Sequence, residues 1–235
     1  MTNILAVIPA RGGSKGIPGK NLALLCGRPL LAYTADAVKG SRRITRAIVS
    51  TDDERLAECA RSLGLEVPFM RPASLASDDT PMLPVLQHAL EAMDASGFAA
   101  DAIVLLQPTS PLRRAEHIDA AIDSLERGGG DSVVSVVEVP HQFNPASVMR
   151  VEGGWLKPYL DAPTVTRRQD KPRVFARNGP AVLAVRSAVV KAGSLYGTKS
   201  WPLGMSAEDS LDIDTPWDLR LVESVLSARM NADSL

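Results

Sequence analysis

Short β-branched apolar runs alternate with stretches of helical spacing along the first 140 residues. ILAVIPA (Ile4–Ala10) reads as a strand that feeds a glycine-rich loop. PLLAYTADAVKG (Pro29–Gly40) reads as a helix closed by Gly40. ITRAIVST (Ile44–Thr51) predicts a second strand, DDERLAECARSLG (Asp52–Gly64) a second helix ending at Gly64, and EVPFM (Glu66–Met70) a short third strand. Leu83, Leu86, Leu90 and Met93 recur at spacings of three and four and place one apolar stripe on a helix. DAIVLLQ (Asp101–Gln107) is then a strand, AEHIDAAIDSLERGGG (Ala115–Gly130) a helix and DSVVSVVEV (Asp131–Val139) another strand. Strands that are almost continuously apolar and separated by helices predict a Rossmann-like α/β fold, with a mostly parallel sheet and helices on both faces.

Between Pro140 and Asn178 this rhythm fails. HQFNPASVMRVEGGWLKPYL and TRRQDKPRVFARN read as an exposed hairpin or arm rather than as more of the sheet. The rhythm returns with AVLAVRSAVVKAG (Ala181–Gly193), a strand leading into a short helix, and closes with SLDIDTPWDLRLVESVLSARM (Ser210–Met230), a strand end and a terminal helix. The division expected is therefore one α/β domain over 1–139 and 179–235, with an inserted arm over 140–178.

Bulk properties narrow the picture. The 235 residues suit one domain with an appendage, and 45% hydrophobic with 23% charged residues is ordinary globular composition. A net charge of −1 gives no global electrostatic case for nucleic acid or an anionic membrane, so an anion must be bound locally. No apolar run approaches the roughly 20 residues that span a bilayer, and the N-terminal run lacks a basic flank, so a soluble cytoplasmic protein is expected. Cys26 and Cys59 form no CxxC pair, which argues against a zinc site or disulfide framework. His88, His117 and His141 do not cluster and read as surface or packing residues.

The loop after the first strand, IPARGGSKGIPGKN (Ile8–Asn21), is the first candidate for chemistry. Open α/β sheets bind ligands at the carboxyl ends of their strands. Glycines there let backbone N–H groups approach a ligand, and with Arg11, Lys15 and Lys20 they form a local anion trap suited to a polyphosphate. The P-loop pattern fails: five residues separate Gly13 from Gly19, and Lys20 is followed by Asn21. The dinucleotide pattern G-x-G-x-x-G is absent as well. LLQPTSPLR (Leu105–Arg113) presents Gln107, Thr109 and Ser110 at a strand end, where the glutamine amide offers both a donor and an acceptor to a base edge and Ser110 or Thr109 could equally cap a turn. In DSLDIDTPWD (Asp209–Asp218), Asp212 and Asp214 lie two apart, so both carboxylates face one side of an extended chain and would repel without a cation such as Mg²⁺ between them. Thr215, Pro216 and Asp218 read as a helix cap.

ARGGSKGIPGKNL resembles the N-terminal motif of the N-acylneuraminate (sialic acid type) cytidylyltransferases, and RPASLASDDT and LLQPTSPLR resemble later segments of that family. The resemblance implies phosphate contacts for Arg11, Ser14, Lys15 and Lys20, with Asn21 near the ribose. It also implies that Arg71 lies near the nucleotide, that Gln107 reads the base, and that Asp212 and Asp214 bind Mg²⁺. Lys20, Arg11 and Asp214 then carry catalysis. RRQDKPRVFARNG is similar to the family's arm segment, which implies Arg168, Gln169 and Asn178 as contacts to an acidic nine-carbon sugar and a homodimer formed through the arm. The implied activity is transfer of CMP from CTP to the anomeric hydroxyl of a nonulosonic acid with release of pyrophosphate. Kdo, a phosphonate or another acidic acceptor, and a non-catalytic nucleotide-binding role, are the alternatives. After Asn178-Gly179 the family usually carries A-I-Y, with the tyrosine lining the sugar pocket; here Val182 takes that place.

Overall fold

The computed structural model describes residues 3–14, 16–160 and 167–232; Lys15 lies outside the described residues. A sheet of seven strands organises the chain. In sequence order the strands and helices are β1 (Ile4–Pro9), the short ribbon β2 (Leu24–Leu25) and β3 (Arg28–Pro29), α1 (Leu30–Gly40), β4 (Arg46–Ser50), α2 (Glu54–Ser62), α3 (Met82–Ala95), β5 (Ala102–Leu105), α4 (Ala115–Gly128) and β6 (Ser132–Glu138). The arm hairpin β7 (Met149–Glu152) and β8 (Trp155–Pro158) follows, then β9 (Phe175–Arg177), β10 (Leu183–Arg186), α5 (Ser187–Lys191), β11 (Ser200–Met205) and α6 (Pro216–Ala232).

The main sheet has the order β11-β6-β10-β5-β1-β4, with β9 added to β6. β1 pairs in parallel with β4 and β5, and β6 with β11, whereas β10 and β9 pair antiparallel to their neighbours. Five strands thus share one direction and two oppose it. Burial on both faces explains the unbroken apolar character of β1. Ile4, Ala6 and Ile8 join α1, α2 and α4 in one core cluster, while Leu5 and Val7 join α3 and α5 in another. Ile4, Leu5, Val7 and Ile8 are each at most 1% exposed, and each such side chain contributes roughly 1.5–3 kcal/mol. That exceeds the worth of a surface ion pair, roughly 0–1 kcal/mol, so burial rather than surface charge fixes the strand.

Three expectations need correction. Glu66–Met70 is not a strand: it touches the sheet only through isolated bridges from Glu66 to Ile48 and from Met70 to Thr51, and Pro68 between them has no N–H to continue a ladder. The segment before α6 is not a strand end; the last strand is β11, ten residues upstream of α6, whose Pro202 and Gly204 mask its pattern. An edge strand tolerates such a proline, and β11 is at the sheet's edge. The arm also returns to the sheet, since Phe175–Arg177 pairs with Val136–Glu138.

β1 lies between β4, which follows it in the chain, and β5, which comes after α3. The connections therefore leave β1 in opposite directions and open a crevice above its carboxyl end. Two loops rim that crevice: residues 10–21 after β1 and residues 106–112 after β5.

Candidate active site

A cleft of about 350 Å³ occupies this position, and Arg11, Ser14, Lys20, Asn21, Arg71, Gln107, Asp212 and Asp214 all line it. The basic loop and the acidic pair, separated by 194 positions, meet directly: the Lys20 ammonium donates to Asp214 Oδ1 at 3.0 Å and to the Ile213 carbonyl at 2.7 Å. The acidic segment is held from its other side as well. Ile213 N–H donates to the Thr109 carbonyl at 2.9 Å, and Ser110 Oγ donates to Asp212 Oδ1 at 3.1 Å. Ile213 is fully buried with Leu25, Leu30, Leu112 and Val222.

The helix behind the pair starts as its sequence predicts. Thr215 Oγ1 accepts from Asp218 N–H at 3.3 Å, and Asp218 Oδ2 accepts from the N–H groups of Thr215 at 2.7 Å and Asp214 at 3.1 Å. This reciprocal cap satisfies donors that a helix start leaves open. Burial pushes the Asp218 carboxyl up, but its bonds from Thr215 and Asp214 and the charge of Lys20 outweigh it and leave the pKa below the ordinary value.

Glycines shape the basic loop where backbone and acid come close. A Cβ on Gly16 would overlap the Asp214 carbonyl oxygen, and one on Gly12 would sit 2.7 Å from Asp53 Oδ2. Gly12 N–H donates to Asp52 Oδ1 at 3.0 Å. Asn21 is 9% exposed and its Nδ2 donates to the Arg11 carbonyl at 3.0 Å, so its amide braces the loop. Arg11 pairs with Asp78 at 2.5 Å. Arg71 is 6% exposed and donates to Ser50 Oγ at 3.1 Å and to the Ser50 carbonyl. Burial lowers its pKa to about 10, with Asp52 opposing that fall and Arg11 adding to it, so it remains a cation at neutral pH.

The sugar-side residues are placed elsewhere. Arg168 and Gln169 line a separate cavity of about 550 Å³ in the arm, with Glu138, His141, Asn144 and Lys171. Asn178 is 6% exposed and spent internally: its Oδ1 accepts from Ser135 Oγ at 2.5 Å and its Nδ2 donates to Ser210 Oγ at 2.8 Å. Val182 is fully buried in the core cluster under α1 and α4 and lines neither cavity. His88 packs edge-on against Phe69 at 4.8 Å, and His117 Nδ1 accepts from the Arg114 N–H at 3.1 Å.

Each aspartate of the pair keeps one carboxylate oxygen without a hydrogen-bond partner among the described residues. No group of three His, Cys, Asp or Glu able to hold a metal exists among them. Two hard carboxylates facing a basic cleft fit a Mg²⁺ ion that draws its other ligands from phosphate and water, and do not fit an all-protein cage. Thr109 and Ser110 stand at the strand end where LLQPTSPLR presents them, and bond the acidic segment; Asp78, the partner of Arg11, was not singled out within RPASLASDDT.

A family model described as cytidylyltransferase matches residues 5–152. The CMP-N,N'-diacetyllegionaminic acid synthase of Legionella pneumophila is 34% identical over 97% of this chain and 98% of its own length. The N-acylneuraminate cytidylyltransferase of Escherichia coli O18:K1:H7 is 32% identical over 95% of this chain but 52% of its own length, so the chain spans about half of that relative. Among solved structures, CMP:2-keto-3-deoxy-manno-octonic acid synthetase complexed with CTP superposes with a TM-score of 0.72 at 19% identity, covering 97% of this chain and 100% of that one. At that identity the likeness bears on the fold.

Proposed function

This chain belongs to the cytidylyltransferase family, and from that premise we propose that it transfers CMP from CTP to the anomeric hydroxyl of a sialic-acid-type nonulosonic acid, releasing pyrophosphate. The observation that carries the reading is the meeting of Lys20 and Asp214 at 3.0 Å on one cleft with Arg11, Arg71 and Asp212. A triphosphate is a dense anion, and this is where the fold gathers cations at the end of β1.

Lys20, Arg11 and Arg71 neutralise the triphosphate, and Ser14 and the backbone of the glycine loop hold its oxygens. Asp212 and Asp214 would hold Mg²⁺, which when bound supplies charge to the phosphates and acidifies the attacking hydroxyl. The sugar oxygen bonds to the α-phosphorus while the bond from that phosphorus to the bridging oxygen breaks, and pyrophosphate leaves with the electron pair. The hydroxyl proton passes to the Asp214 carboxylate or to water. Positioning and fixed charge supply most of the rate in such a transfer. Arg168 and Gln169, in the arm cavity apart from this cleft, would reach the acidic sugar through the arm of a homodimer, an arginine fork being matched to a carboxylate.

The 34% identity to the legionaminic acid synthase over nearly the whole of both chains supports an N-acylated legionaminic-type acceptor. A homodimer through the arm fits the exposure of Val151 (73%), Trp155 (75%) and Leu156 (70%), an apolar set that a monomer leaves in water. The test is pyrophosphate release from each nucleoside triphosphate with Mg²⁺ across a panel of acidic sugars. The highest kcat/KM is expected with CTP and a nonulosonic acid. Preference for Kdo, or absence of turnover with every acidic sugar, contradicts the assignment.

A further inference from the structure

Asp209 is a buried carboxylate to which the chemistry above gives no task. It is 4% exposed and sits in the turn that opens the acidic segment, three positions before Asp212. Two helices reach it, one at each oxygen: Arg229 Nη2 on α6 donates to Oδ1 at 3.0 Å, and Arg114 Nη2 at the start of α4 donates to Oδ2 at 3.3 Å. Ser206 Oγ donates to Oδ2 at 2.9 Å and accepts from the Asp209 N–H at 3.0 Å, so the residue also closes its own turn. Burial pushes the carboxyl up, but the bonds from Ser206 and Arg229 and the charge of Arg114 outweigh it and leave the pKa below the ordinary value. The group is therefore an anion at neutral pH. A buried ion pair is often no better for stability than apolar side chains of the same volume, so folding alone does not account for it.

From this anchor the acidic segment runs antiparallel to the turn that follows β5. Asp209 meets Arg114, Asp212 Oδ1 accepts from Ser110 Oγ at 3.1 Å, and the Ile213 N–H donates to the Thr109 carbonyl at 2.9 Å. Positions 209, 212 and 213 thus face 114, 110 and 109, three cross-links in one fixed register. Ser210 strengthens the same end, since its Oγ accepts from Asn178 Nδ2 at 2.8 Å and so joins the segment to the chain just before Gly179 on the cleft wall. Past Asp214 the chain is held by the Thr215 and Asp218 cap. Asp212 and Asp214 therefore lie between two fixed ends, and the charged clamp at the first of them is Asp209. A divalent cation needs both carboxylates at once, so affinity for it falls when the register loosens.

We propose that Asp209 is a positioning residue for the metal: its carboxylate, clamped between Arg114 and Arg229, holds the register in which Asp212 and Asp214 grip one divalent cation together. This rests on the reading of Asp212 and Asp214 as metal ligands. The experiment measures Mn²⁺ affinity by water-proton relaxation enhancement, with CTP and no acceptor sugar, and beside it the Mg²⁺ concentration for half-maximal pyrophosphate release. Each variant is melted first and assayed well below its melting point. Asp209→Asn, which removes the charge and keeps the shape, should weaken Mn²⁺ binding and raise the Mg²⁺ requirement about tenfold, the lower end of what groups behind metal ligands contribute. Arg229→Met separates positioning from plain charge, Arg229 being the better buried of the two guanidinium groups. Deleting a cation tightens a divalent ion by Coulomb attraction alone, whereas loss of the clamp weakens it; weakening is expected. The double variant Asp209→Asn/Arg229→Met should bind no more weakly than the weaker single, because both release one clamp. Asp212→Asn is the control for the ligand reading and should lose the ion. Wild-type Mn²⁺ affinity in folded Asp209→Asn with only a lower melting point, or unchanged or tighter Mn²⁺ in Arg229→Met, overturns the inference and leaves the ligand reading standing. Wild-type affinity in Asp212→Asn overturns both. Should Asp209→Asn fail to fold, Arg229→Met decides by the sign of its change.

Discussion

Lys20→Met removes one charged group and keeps much of its length, which makes it the sharpest probe of the cleft. The ammonium is tucked away, with 13% side-chain exposure, whereas its partner Asp214 is 75% exposed. The ion pair is therefore worth only about 0.2–1 kcal/mol to folding. The charged bond to the Ile213 carbonyl is worth roughly 1.5–3 kcal/mol. Together they give a loss of about 2–4 kcal/mol, which in a chain of this length lowers the melting point by roughly 4–16 °C. Catalysis should suffer more, because the same ammonium faces the triphosphate. Losing a fixed cation at a developing oxyanion costs about 2.7–4 kcal/mol, or roughly 10²–10³ in rate. Initial rates of pyrophosphate release over a CTP titration measure this, with a thermal melt on the same preparation. A variant whose melting point drops as stated while kcat/KM for CTP stays within about threefold of wild type refutes the reasoning: Lys20 would then be only a staple for the acidic segment.

Asp212→Asn and Asp214→Asn should each leave the chain folded and cut Mg²⁺-dependent turnover by about a hundredfold or more, read as pyrophosphate release across a Mg²⁺ titration. Arg168→Ala should raise the KM for the acidic sugar about tenfold or more while the KM for CTP holds; equal changes in both would place Arg168 outside the sugar site. Val182→Tyr, which restores the family's residue, should destabilise by about 1–3 kcal/mol in a denaturant titration and leave the sugar KM unimproved, because Val182 is fully buried. Asp218 has a folded pKa below its ordinary value of 3.8, so its contribution to stability is complete above that value and is lost as the pH falls through the lowered one. Asp218→Asn should therefore flatten the fall of the melting point with pH below about 4.

How far the sequence could be read depended on whether the signal was local. β1, β5 and β6 were legible because burial on both faces leaves unbroken apolar runs, and the basic loop because its glycines and cations are consecutive. β11 was not, since an edge strand can carry Pro202 and Gly204. Val182 was misjudged for the opposite reason. Its distance from Asn178 and Gly179 matches the family motif, yet the chain has already turned into the sheet, where Val182 N–H donates to Ser135 Oγ at 2.9 Å and the side chain enters the core.

The residue that makes the acidic pair usable is the apolar one between its members. Alternation on an extended chain puts Asp212 and Asp214 on the same side, but it does not say which side. Burial of Ile213 does: with 0% exposure it sits in the cluster of Leu25, Leu30, Leu112 and Val222, and such a side chain contributes roughly 1.5–3 kcal/mol. Turning the segment over would expose Ile213 and bury two carboxylates, so the orientation is fixed by two costs of the same sign. The backbone of that same isoleucine then joins the two rims, its N–H to the Thr109 carbonyl and its carbonyl to the Lys20 ammonium. The charged groups of the site are thus aimed by a hydrophobic contact: a cation from the first strand's loop, an amide-bearing turn from the fifth strand and two acids from the segment before the last helix share one cleft because Ile213 has only one dry place to go.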